Sequence, residues 1–315
     1  MVRITSVAGA ALAALLLGIL ARPAEAASVP TDPVKRCRGV LDLLAKAPDA
    51  SETPLSVGTV EPAGKAGCRY GNLRISAGYS SLDVEALSLD RLDFQRVFAG
   101  QPPLTLSVKA EGIRMISGGN PVTAYYSKLV VRPFVFTLDY ALAPDTGLLT
   151  VSDLSLRHEI NGSISATGTF SGVSPDLLEP WRRLPDAASL ARIALNRFSF
   201  RLQNQGLFEA FTVMPMLAAL PNGTTDPEGA VAAAKAGALA RLRIVGESVL
   251  PPDTMTALTD LIQDLPKPRR PLAVTIAPAA PVRLSDIADA AMGDDAAKSA
   301  ILKRLNPTVT YAPAP

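Results

Sequence analysis

Conventional catalytic chemistry has few places to start in this chain. Its single histidine, His158, lies in the stretch LSLRHEINGSISATGTF, residues 154–170, close to an Asn161-Gly162 pair of turn-forming type. A Ser-His-Asp arrangement would have to use it, yet no G-x-S-x-G nucleophile elbow accompanies it. Phosphate and dinucleotide chemistry lack their glycine loops, G-x-x-x-x-G-K-[ST] and G-x-G-x-x-G. Zinc or iron sites built from imidazole and thiolate need several ligands, and one His with two widely spaced Cys does not supply them. No cofactor or metal is expected.

Carboxylate catalysis needs only two positioned acids, and three pairs stand close in sequence: Asp90 with Asp93, Asp226 with Glu228, and Asp294 with Asp295. Each has a structural reading beside the catalytic one. The first pair would sit on a solvated strand face, and the others would supply negative charge at helix starts. The basic run Lys267-Pro-Arg-Arg270 has two readings of its own, contact with an anionic lipid surface or a solvated loop between prolines.

The two cysteines, Cys37 and Cys68, have no C-x-x-C spacing, which removes the redox-motif reading. In an oxidising compartment a lone pair forms a structural disulfide, here one tying an N-terminal helix to the first strands. The compartment is read from the N-terminus. Arg3 precedes an apolar run from Ile4 to Ala21, and Pro23 and Ala24-Glu25-Ala26 follow, the layout of a secretory signal peptide cut after Ala26. The alternative is an uncleaved inner-membrane anchor over residues 4–21, since about 18 apolar residues nearly span a bilayer. The absence of a Cys directly after the run argues against a lipoprotein.

A formal charge of +2 gives no long-range field, so nucleic acid is not an expected partner. Aromatic residues make up 5%, which leaves a sugar- or base-stacking platform poorly supplied. What the chain has is apolar capacity, with a mean hydropathy of +0.23.

The elements that must position these residues follow from periodicity. Asp32 and Pro33 suit the N-cap and first turn of a helix in which Val34, Cys37, Leu41 and Leu44 recur at helical spacing until Pro48. From Leu55 to about Phe170 the period is two, as at Leu104, Leu106 and Val108, and from Phe134 to Leu142. Segments 82–85 and Leu87–Phe94 also read as strand, with a slip of apolar phase between them that predicts a bulge or break. One apolar and one polar face is the pattern of an antiparallel sheet wet on one side.

A short helical piece is expected around Leu177–Trp181, then a strand at Phe198–Leu202. Helices follow at 206–220 (kinked at Pro215), from Asp226 to about Val245, from Asp253 to Leu265, after Ser285 as a cap, and over Asp294–Leu305. Strands return at Leu272–Ile276 and Thr308–Tyr311. The fold class is α+β, a largely antiparallel curved sheet with helices concentrated in the C-terminal third. The expected organisation is a signal peptide over 1–26, a β-rich region with an N-terminal helix over 27–205, and a mainly helical region with one or two strands over 206–315. The helix over Leu207–Leu220 is apolar on most sides. It is either deep core or the lining of a cavity for a lipid or other hydrophobic ligand, with Phe208, Phe211, Met214 and Leu217 as lining residues.

Register decides how His158 is read. A two-residue Asn161-Gly162 loop sets apolar residues against Ser165 and Thr167. A three-residue loop, residues 160–162 with Gly162 left-handed, sets His158 against Ile164, Leu156 against Ala166 and Leu154 against Gly168, giving one apolar side. His158 is then a half-buried structural side chain at the turn end of that side.

The succession LTVSDLSLRHEINGSISATGTFSGV, LNRFSFRLQNQGLFEAF and LAVTIAPAAPVRLSDI resembles uncharacterised periplasmic proteins of alphaproteobacteria. More remotely it is similar to the strand-rich AsmA-like envelope proteins. The resemblance covers about residues 80–310 and implies an envelope role, including lipid handling; it transfers no functional residue. Together these readings favour a non-catalytic periplasmic protein for envelope maintenance or hydrophobic-ligand binding, with lipid and envelope proteins as partners. A carboxylate- or His158-dependent hydrolase and a protein-interaction scaffold are the alternatives.

Overall fold

The computed structural model describes residues 28–45, 55–77, 80–117, 122, 125, 132–178, 191–209, 213 and 225–312. It is an α+β protein with twelve strands among those residues, all paired antiparallel. The chain forms two compact units. Of the described residues, the first holds those of 28–159 and 172–178 and the second those of 160–171 and 191–312, so two strands of the strand-rich half group with the C-terminal helices.

The first unit opens with helix α1 (Pro33–Ala45). Asp32 caps it, its carboxylate accepting from the Lys35 amide at 2.9 Å, as the sequence predicts. Strands β1 (Leu55–Ser56) and β2 (Thr59–Pro62) share one edge of β3 (Cys68–Ala77). The order then runs through β4 (Ser80–Asp90), β5 (Thr105–Ser117), β6 (Phe134–Ala143) and β7 (Leu148–His158).

Pairing aligns the apolar residues of successive strands into rows on one face. Cys68, Leu89, Val108, Leu138 and Leu154 form one row; Tyr70, Leu87, Ala110, Phe136 and Leu156 form the next. Helix α1 and a short helix α2 (Phe94–Phe98) supply the cover through Cys37, Val40, Leu41, Phe94, Val97 and Phe98. The two helices approach closely at Gly39, where a Cβ would stand 2.8 Å from the Phe98 ring. The opposite face carries rows such as Arg69, Ser88, Lys109 and Thr137, the wet side expected from the alternation, which closes over at the buried Ser155 of β7.

The predicted strand over Leu87–Phe94 is cut short. It ends at Asp90 because Arg91 adopts a left-handed conformation (φ 60°) and Asp93 then caps α2, accepting from the Arg96 amide at 3.1 Å. Leu92, Phe94, Val97 and Phe98 reach the core at helical spacing, which alternation alone misreads. The phase slip between 84 and 87 is real, and it extends across three strands. Beside it Asn72 on β3 and Gly112 on β5 both have positive φ (52° and 68°). A Cβ at Gly112 would lie 2.4 Å from the Glu85 side chain, so a substitution would strain the backbone and also displace Glu85.

The second unit pairs β8 (Gly162–Ser171) with β9 (Ala194–Asn204), β9 with β10 (Leu272–Ile276), and β10 with β12 (Pro307–Tyr311); β11 (Val282–Arg283) extends the β10 side of β9. Its helices are α3 (Pro227–Gly246), α4 (Pro252–Asp264), α5 (Leu284–Met292) and α6 (Asp295–Leu305). Asp226 and Asp294 cap α3 and α6, each accepting an amide at 2.8 Å. Ser285 is not the cap of α5: the helix starts one residue earlier, with extended Arg283 in the cap position and no side-chain hydrogen bond. The helical piece expected at Leu177–Trp181 is a 3-10 turn, Pro175–Leu178. Helices α5 and α6 pack on β9 and β11 through Leu195, Val282, Ile301 and Leu305; α4 packs on β10 and β12 through Ala257, Val309 and Tyr311.

Candidate functional site

The first unit's apolar face is well covered from β3 to β6 and loses its cover at β7. Along the row from Cys68 to Leu138 every side chain is buried, and the fifth member, Leu154, is 37% exposed. Leu156 and Val151, on the same face of β7, are half-buried. An aliphatic side chain in line with a core row that stays 37% exposed leaves apolar surface that an apolar ligand would remove from water at about 25 cal/mol per Å².

At the end of this face sits His158, only 7% exposed. Phe134, its partner across β6, meets the imidazole edge-on with ring centroids 4.5 Å apart, and the Arg132 backbone is a hydrogen-bond partner. In the turn following it Gly162 has φ 105°, the positive value that the three-residue loop calls for. Burial holds the imidazole pKa below its ordinary value near 6.5, against the opposing pull of the Arg132 hydrogen bond and Glu159. The sign follows from the unfolded chain taking up a proton at higher pH than the folded one. Stability from this site is complete above about pH 6.5 and declines as pH falls through that value. Chemical denaturation at pH 7.5 and pH 5 is therefore expected to show a larger acid loss for the wild type than for a His158→Phe variant. Equal losses would remove His158 as a source.

A second concavity, of about 580 Å³, lies where the pleat slips. Arg74 holds Asp83 with two hydrogen bonds of 2.8 and 2.7 Å, Ser81 adds a third at 3.0 Å, and Arg114 pairs with Glu85. Leu73, Val84 and Ile116 are its apolar lining and Asn72 stands at its margin. Sequence reasoning marked the slip but not these residues. Because Asp83 and Glu85 alternate with apolar neighbours, they read as wet-face charge, and the guanidiniums opposite them come from other strands. The described charges of the cleft are paired with one another within it.

The carboxylate pairs proposed from sequence are engaged in local structure. Asp93, Asp226 and Asp294 are helix caps, while Asp90 closes β4. Among the described residues no three His, Cys, Asp or Glu side chains gather to hold a metal ion. Of the proposed ligand-lining residues, Phe208 is half-buried and its amide donates to Asn204 Oδ1 at 2.8 Å, next to a completely buried Leu207. Phe211, Met214 and Leu217 lie outside the described residues.

A family model described as "Uncharacterized protein" matches residues 156–312. No curated protein matches the chain. The matched span runs from the end of β7 through the whole second unit to the residue after β12, leaving out both cysteines.

Within that span the basic run is tied down. Asn204 Nδ2 donates to the buried Pro268 carbonyl at 2.7 Å, and Tyr311 Oη accepts from the Arg269 amide at 2.8 Å. Arg270 donates to Asp260 at 2.8 Å, sits 3.6 Å from Asp264 and stacks 4.5 Å from the Tyr311 ring centroid. One of the run's three charges is thus spent inside the unit, which favours the loop reading over lipid contact.

Proposed function

We propose that this chain is a non-catalytic envelope protein that binds a lipid or other hydrophobic ligand on the apolar face of its sheet. In this reading the leader is removed after Ala26 and the product resides in the periplasm. The observation that carries it is Leu154, on the core face of β7 and 37% exposed at the end of an otherwise buried row. The Cys37–Cys68 disulfide supports an oxidising compartment. No helix among the described residues is long and apolar enough to cross a membrane. The engagement of the candidate carboxylates as caps and the packing of His158 on Phe134 weigh against the hydrolase reading. The AsmA-like resemblance of the strand-rich segments points the same way, toward lipid handling.

The test is native mass spectrometry with solvent extraction of protein purified from the periplasmic fraction. Expected are an N-terminus at Ala27, a co-purifying lipid, and a loss of about tenfold in bound lipid for Leu154→Asp, equivalent to about 1.4 kcal/mol. Protein that carries no lipid, and takes none from phosphatidylethanolamine vesicles after delipidation, would sink the reading.

A further inference from the structure

The second unit's sheet has a polar face that differs in kind from that of the first. Strands β8, β9, β10 and β12 contain no Asp or Glu, whereas the first unit's polar face alternates and pairs both signs, as at Arg74 with Asp83 and Lys109 with Glu111. The pairing places Thr167, Ser199, Thr275 and Thr308 in one transverse row opposite the core side, with Ser199 and Thr275 hydroxyls 3.4 Å apart. Flanking this row on β9 are Arg197 and Arg201, both exposed. No ion pair or hydrogen bond to a described residue engages either guanidinium. Every other outward position of the four strands is Ser, Thr, Ala or Gln.

We infer that this face is a docking surface for an acidic polysaccharide. The charge is complementary: two unpaired guanidiniums on four strands without carboxylates attract anions, and the planar donor fork suits carboxylate or sulfate oxygens. Spacing selects the class. Four residues along a strand separate the arginines by about 13 Å, too far to clasp one small anion together. The floor between them is hydroxyl, which both donates and accepts. The matching ligand carries anionic groups at intervals joined by a neutral body rich in hydroxyls. A bilayer surface fits less well, since electrostatic adsorption takes a cluster of about four to eight basic residues and this face has three, counting Arg283 of β11, with no large apolar side chain to insert. This surface lies on the polar face of the second unit and does not depend on the apolar-ligand reading.

Affinity electrophoresis and calorimetry of the mature protein with alginate, against neutral dextran, phosphatidylglycerol vesicles and short duplex DNA, test it. Expected is binding to alginate that weakens with added salt and exceeds binding to dextran, vesicles and DNA. Arg197→Gln combined with Arg201→Gln should weaken it by about tenfold or more at an unchanged unfolding midpoint. Arg201→Lys should retain more affinity than Arg201→Gln, and Arg69→Gln, on the other unit, should change nothing. Alginate bound no better than dextran, retention of full affinity by the double variant, or binding to vesicles or DNA in place of alginate would overturn the proposal.

Discussion

Replacing both cysteines, Cys37→Ala with Cys68→Ala, is expected to cost about 3–4 kcal/mol of stability in the first unit. The bridge joins α1 to β3 across 31 residues, with Cα atoms 5.6 Å apart. Cutting it releases the closed loop in the unfolded chain, and that entropy gain favours unfolding. Little else fixes α1 with the same reach. Tyr70 Oη donates to the Cys37 carbonyl at 3.0 Å, and Val40 and Leu41 bury their side chains against the sheet, but these contacts form only once the helix has docked. Urea denaturation of the wild type with and without reductant, beside the double variant, measures the effect. Reduced wild type and double variant should agree to within about 1 kcal/mol, allowing for two lost buried sulfurs. A wild-type midpoint that does not move on reduction would show that the bridge contributes nothing.

Tyr311→Ala should cost the second unit about as much, roughly 3–5 kcal/mol, because it empties a buried aromatic site and undoes a polar cluster at once. The Tyr311 hydroxyl donates to Asp264 Oδ2 at 2.7 Å while accepting from the Arg269 amide, and the ring carries the Arg270 guanidinium. That hydroxyl, with Arg270 beside it, holds the Asp264 carboxyl below the usual carboxylate range. Tyr311→Phe isolates the polar part. It keeps the ring but deprives Asp264 of its donor and the Arg269 amide of its acceptor, for an expected loss of about 1–3 kcal/mol. Hydrogen exchange at the Arg269 amide should accelerate in the Phe variant even where global stability is matched. An unchanged exchange rate would mean that the hydroxyl does not hold the loop.

Much of this architecture was legible in the residues. Period-two alternation located β5, β6 and β9 and their apolar sides, and Asp32, Asp226 and Asp294 marked helix starts that the structure caps with those side chains. These signals are local. A cap, a turn glycine or an alternating face is decided within a few residues, as Gly162 with φ 105° illustrates. Illegible features depended on partners far along the chain. The reading of Leu87–Phe94 as one strand fails after Asp90 because Arg91 turns left-handed and Asp93 then caps a helix whose Phe98 ring packs beside Gly39 of α1. The Arg74–Asp83 and Arg114–Glu85 cleft needs three strands in register, and no one of them announces it.

By itself the sequence determined the α+β class and the pairing of its two cysteines, because composition and short-range periodicity are sufficient for each. Tertiary structure alone decided which apolar residues are covered. Leu138 and Leu154 are alike as leucines on alternating strands, yet one is buried and the other 37% exposed, because the covering layer packs over one and not the other. It also decided that Arg270 is spent on Asp260, Asp264 and Tyr311 while Arg197 and Arg201 face outward among four strands free of acids. Charge, unlike pattern, acquires its meaning from what folding brings within a few ångströms of it.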